Sequence, residues 1–243
     1  MKKALLIVLA IVICAVAGAV YLGHSAYREI VQAFGSGCIN GCVQVNTGGP
    51  MVKGSGNLKT ENRTVAPFTA IELESPAVVV IDRTGTQDVS VTTDDNLLAF
   101  FTSDVKDGTL RLGTVTDKSF QASSAMYRIT VSDLRSIAVR GSGDVTANHL
   151  DGPALAISIA GSGDVHVDGS VGELTLTIKG SGDVDAAGLE AKRAKVDLSG
   201  SGDATVNASD TLDVRMSGSG DLHYLGSPKL TKDIHGSGSI SAK

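Results

Sequence analysis

From Gly141 to Ser239 the tetrapeptide Gly-Ser-Gly-Asp recurs at a spacing that leaves few folds open. Copies start at Gly141, Gly161, Gly180, Gly200 and Gly218, and a last one at Gly236 reads Gly-Ser-Gly-Ser, giving steps of 20, 19, 20, 18 and 18 residues. A near-constant period of this size marks a solenoid. Apolar and polar residues alternate before each copy, as in Leu174, Leu176 and Ile178, or Leu212, Val214 and Met216. They alternate again after each Asp, as in Val165 and Val167, or Leu222 and Tyr224. A period of two is that of a half-buried strand, so each repeat reads strand, corner, strand and polar return.

A unit of two or three short strands cannot bury its apolar face alone. Stacked units bury it, because each strand pairs in parallel with its equivalent one coil away. Crossovers between parallel strands are right-handed. The expected fold is therefore all-β, a right-handed parallel β-helix. Its corners carry glycine pairs: Gly141 and Gly143, Gly161 and Gly163, Gly180 and Gly182, Gly200 and Gly202, Gly218 and Gly220, Gly236 and Gly238. Positive φ or close backbone approach excludes a Cβ there. The core should include Ile157, Ile159, Leu174, Leu176, Ile178, Val196, Leu198, Val214 and Met216.

The 243 residues divide into three stretches. Residues 1–22 open with Lys2 and Lys3 and continue as an unbroken apolar or small run from Ala4 to Leu22. This is a signal peptide with small-residue cleavage sites near Ala17, or, uncut, a transmembrane anchor. Either way the chain is expected to be exported, to the periplasm, envelope or cell surface. Residues 23–53 read as a linker holding a short helix, His24 to Phe34, and a turn with Cys38 and Cys42. In an exported chain such cysteines form a small disulfide; no second close Cys or His pair completes a zinc site. Residues 54–243 are the solenoid. Between Phe68 and Val139 the period is lost, and strands are expected at 68–73, 77–81, 89–92, 109–112 and 127–131, continuing the parallel coils. Asp117 to Ser124 reads as a turn. Near the other end, Lys232 takes an inward position between Leu230 and Ile234, which suits a final coil that blocks edge pairing.

The tandem Gly-Ser-Gly-Asp corners, Gly54-Ser55-Gly56-Asn57 and the Phe68-x-x-Ile71-Glu72 opening resemble the putative auto-transporter adhesin, head GIN domain family. The resemblance covers roughly residues 54–243. It implies an exported bacterial protein with a pectin-lyase-like β-helix, no recognised catalytic residues and a role in adhesion. The Gly-Ile-Asn tripeptide of that family is absent, the nearest being Cys38-Ile39-Asn40, and Ser239 replaces the final Asp.

Asp144, Asp164, Asp183, Asp203 and Asp221 share one register and should line one edge of the rod. Like charges at that spacing repel, so something must offset the cost. Either each carboxylate accepts backbone N–H bonds, or calcium bridges neighbouring oxygens. Calcium-binding β-rolls use a nine-residue repeat, which this period does not match. The histidines at 149, 166, 223 and 235 are scattered, with His166 and His223 in one register three coils apart. No nucleophile elbow, phosphate loop or metal-protease helix is present. A net charge of −5 offers nucleic acid no electrostatic footprint. The sequence thus points to a non-catalytic envelope module without a cofactor. Its partner would be a surface protein or glycan, with the membrane met only through the amino-terminal segment and homo-oligomer formation left open. Two alternatives stay in view: a carbohydrate-active β-helix enzyme of the polysaccharide lyase or hydrolase kind, and an anchored envelope sensor.

Overall fold

Strict alternation gives each strand one apolar face, and parallel stacking sets equal positions of successive coils side by side. The computed structural model describes residues 43–243, so the 1–22 segment, the 24–34 helix and the Cys38–Cys42 pair lie outside the described residues. The early strands are β1 (Val43–Val45), β2 (Met51–Lys53), β3 (Leu58–Asn62), β4 (Ala70–Leu73), β5 (Val78–Arg83) and β6 (Asp88–Asp94). They continue as β7 (Phe101–Lys106), β8 (Thr109–Thr114), β9 (Ser119–Ala122), β10 (Ala125–Val131) and β11 (Ser136–Val139). The repeat region supplies β12 (Val145–Ile159), β13 (Val165–Ile178), β14 (Val184–Leu198) and β15 (Ala204–Met216). It ends with β16 (Leu222–Leu225), β17 (Lys229–Ile234) and β18 (Ile240–Ala242).

The result is an all-β solenoid of about five turns. Before each corner, one column of parallel pairing runs β4, β11, β12, β13, β14, β15 and β17, with Ile137, Ile157, Leu176, Val196 and Val214 in register. After each corner, a second runs β5, β12, β13, β14, β15, β16 and β18, with Val79, Val145, Val165, Val184, Ala204 and Leu222 in register. All nine core positions expected from the alternation are at most 1% exposed. The polar return is extended too. It pairs between coils, as Val171 does with Ala191, and is interrupted by register shifts.

The half before Val139 departs from the expectation of parallel coils throughout. Toward the amino-terminal end, the first column closes with the β7–β8 hairpin, which is antiparallel. The second column closes with β10, then β6 and β3, the last two pairings antiparallel. A parallel coil at the end of a stack would leave its core uncovered. Here bulky side chains cover it: Phe101, Phe120 and Tyr127 are each 1% exposed or less. Their rings meet edge-on, with centroids 5.3 Å apart for Phe101–Phe120 and 6.4 Å for Phe101–Tyr127. Burial pushes the Tyr127 phenol up to about 12, and its hydroxyl donates to the Thr102 carbonyl at 3.0 Å.

The five expected strands of this half are present as β4, β5, β6, β8 and β10. The Asp117–Ser124 run is not a turn throughout, because it contains β9 with Phe120 fully buried. Strand β9 joins β1 and β2 in a three-stranded sheet, so residues 43–53 include paired strands where linker was expected. Among the described residues no helix is long and apolar enough to cross a membrane.

Candidate functional site

The corner is where the repeat concentrates its chemistry. The corner glycines of the repeat do not adopt positive φ. Their reason is close approach. A Cβ on Gly161 would run into the carbonyl of Gly141, and one on Gly163 into that of Gly143, and later corners repeat the contact coil by coil. Each Cβ would point at the preceding coil. The first coil has no such corner beneath it and carries Ser75 and Ala77 at the equivalent places, below Gly141 and Gly143. The serine amides bond to the preceding glycine carbonyl, as Ser181 N does to Gly161 O at 3.0 Å.

The five aspartates form a head-to-tail ladder. Each Oδ1 accepts the amide of the equivalent residue in the next coil: Asp164 N to Asp144 at 3.0 Å, Asp183 N to Asp164 at 2.8 Å, and Asp203 N to Asp183 at 2.7 Å. Asp221 N bonds to Asp203 at 2.7 Å, and Asp221 accepts both the amide and the hydroxyl of Ser239, at 2.7 and 2.8 Å. The acceptor role expected of these carboxylates is present, and it links coils rather than closing each coil on itself. The Ser239 hydroxyl, then its amide, hold the Asp221 carboxyl below the usual range.

The ladder borders a second outward row in register: Thr146, His166, Asp185, Thr205, His223 and Ser241. Between the rows lies an open groove of about 310 Å³, lined by Asp144, Asp164, Asp183, Thr146, His166 and Asp185 over Val145 and Val165. His166 Nδ1 stands 3.3 Å from Asp185 Oδ2. His223 keeps the register expected for it, three coils away, against Ser241 Oγ at 2.8 Å. Among the described residues no three His, Cys, Asp or Glu side chains gather closely enough to hold a metal ion. The Oδ1 atoms are committed to amides, which leaves each Oδ2 for solvent or a ligand. The arrangement can therefore bind cationic or hydroxyl-rich groups along a line.

Two buried carboxylates escaped the repeat pattern. Asp94, fully buried, accepts Gly56 N at 2.7 Å and both the amide and hydroxyl of Ser123, at 2.7 and 2.9 Å. Gly54-Ser55-Gly56-Asn57, legible as linker, is thus a fixed loop against β6, with Ser55 also on Asp95 and Asn96. Glu72, 5% exposed at its side chain, lies between Arg111, 3.2 Å away, and Arg140. Its position inside Phe68-x-x-Ile71-Glu72, with Phe68 and Ile71 buried, was the one signal in the sequence.

Residues 67–228 match the family model described as putative auto-transporter adhesin, head GIN domain. The chain belongs to this family. Solved structures share the fold. A putative adhesin from Bacteroides fragilis is 26% identical with a TM-score of 0.66, over 79% of this chain and 100% of that one. A putative lipid binding protein from Parabacteroides distasonis is 24% identical with a TM-score of 0.53, over 80% of this chain and 100% of that one. A putative adhesin from Parabacteroides merdae is 19% identical with a TM-score of 0.54, over 79% and 99%. The last two show the fold alone. No curated protein matches the chain.

Proposed function

We propose that this head GIN chain is a non-catalytic, exported binding module of the bacterial cell envelope, with an adhesive role. Its coil is taken as right-handed from the handedness of parallel crossovers and from the family resemblance, which also implies the pectin-lyase-like kind. The observation that carries the reading is the uniformity of the ladder. Five carboxylates play one identical role, whereas catalysis of glycosidic cleavage needs unlike groups converging on one bond. A repeated surface suits a repeated ligand: a glycan or an extended protein of the cell surface, held by hydrogen bonds to Oδ2 and the Thr146–His166 row. Family membership and the likeness to the Bacteroides fragilis putative adhesin support the same reading.

One place favours the enzyme alternative, the His166–Asp185 pair beside Asp164 in the groove. A single experiment separates the two. Bacteria producing the chain, its deletion, or the Asp164→Asn/Asp183→Asn variant are scored for attachment to immobilised glycans and surface proteins, and the supernatants for cleaved glycan. Attachment lost on deletion and reduced in the folded variant supports the module. Attachment unchanged by deletion overturns it, and glycan cleavage that disappears in His166→Ala replaces it with the enzyme.

A further inference from the structure

Among the described residues the final coil leaves two strand edges unpaired, the three-residue β18 and the longer β17. Strand β17 pairs on one side only, with β15, so Leu212, Val214 and Met216 stand beside Leu230, Lys232 and Ile234. The first three are buried, whereas Ile234 is 37% exposed and Lys232 is exposed. The column that holds Ile137, Ile157, Leu176, Val196 and Val214 in the core therefore ends in an ammonium between two apolar side chains. A bare edge with aligned N–H and C=O groups is a template for another chain. The partner of fitting geometry is a second copy, its own β17 meeting this one antiparallel about a two-fold axis.

Opposed residues of an antiparallel pair face the same side, so inward positions meet only inward positions. Every register that pairs most of the two strands and continues the core then sets Lys232 against Lys232 or Leu230 of the other copy. Each encloses an unpaired ammonium, which backbone bonding does not offset. A further coil stacked in parallel meets the same obstacle. It also meets Ser239, which holds out no carboxylate to the amide that an aspartate would receive. We infer that Lys232 keeps the β17 edge of the solenoid from pairing with a second copy of the chain, leaving that edge exposed without making it adhesive to itself.

The test uses the full-length chain, purified in one mild detergent, as wild type, Lys232→Val, Lys232→Gln and Thr231→Val. Mass is read by light scattering, and exchange is read at the β17 amides that face away from β15. Wild type and Thr231→Val, which adds the same apolar bulk to the outward face, should have one mass and unprotected edge amides. Lys232→Val should at least double in mass, with tenfold or greater protection of those amides that grows with concentration. If Lys232→Val does not fold, folded Lys232→Gln decides by the same readouts. A folded Lys232 variant that keeps the wild-type mass overturns the inference. So does a wild type already protected at this edge, or a Thr231→Val that associates equally.

Discussion

Each Asp of the ladder neutralises a backbone donor in the coil that follows, and this dictates what its replacement does. Asp183→Asn keeps an accepting oxygen for Asp203 N and relieves repulsion, so stability should barely change. Asp183→Ala strips that amide of its partner and should cost about 1 kcal/mol in thermal or urea unfolding. The same experiment with calcium and with chelator tests the metal reading of the ladder. A calcium-dependent rise in Tm that disappears in Asp183→Asn would turn the caps into ligands. The ladder also has a missing first rung. Val79 N bonds to Asp144 O as Val145 N does to Asp164 O, so Val78 occupies the place of an aspartate. Val78→Asp should offer Asp144 N an acceptor and raise stability by about 0.5 kcal/mol, charge repulsion taking part of the gain. Asp221, lowered by Ser239, contributes stability that is present above its unfolded pKa and is lost as pH falls through its lower folded value. Ser239→Ala removes the larger cause of that lowering. Acid unfolding followed below pH 4 should then set in at a higher pH, and an unchanged profile would refute the linkage.

Among the elements, the long strands β12 to β15 carry the core, and their sides are set by alternation alone. Leu176 sits in register between Ile157 and Val196 with 1% exposure. Leu176→Ala should cost about 2–5 kcal/mol, since neighbours pinned by interstrand bonds cannot collapse into the space. The corner is as unforgiving for the opposite reason. Gly182→Ala places a methyl group on the Gly163 carbonyl, a backbone atom that two coils hold fixed. The cost should reach about 1–3 kcal/mol or more, read as a fall in the urea midpoint. Ser75 and Ala77 show that the same corner tolerates a Cβ where no Gly-Ser-Gly corner lies beneath.

For the whole molecule, the two ends are made differently. Among the described residues one is covered by antiparallel strands and an aromatic cluster, whereas the other leaves the β17 edge open with Lys232 and Ile234 exposed. The amino-terminal expectation belongs to this scale as well. Mass spectrometry of the exported protein should find a new amino terminus after cleavage near Ala17, or an intact anchor. Thiol labelling without reductant should leave Cys38 and Cys42 unmodified, and free labelling of both would remove the disulfide.

The repeating half was legible because its physics is local and repeated. Alternation fixes which side chains face inward, a constant period fixes which residues stand in register, and glycine at every corner records the approach of neighbouring coils. Ile157, Leu176 and Val214 could be placed in one column from sequence for that reason. What lies before Val139 has no second copy of itself against which to align. The antiparallel returns of β6 and β7 depend on pairings between distant segments, as do β9 within a polar run and the burial of Asp94 against Gly56 and Ser123. In the ladder, too, the sequence identified the acceptors and the register, but only the stacking of one coil on the next decided which amide each carboxylate receives.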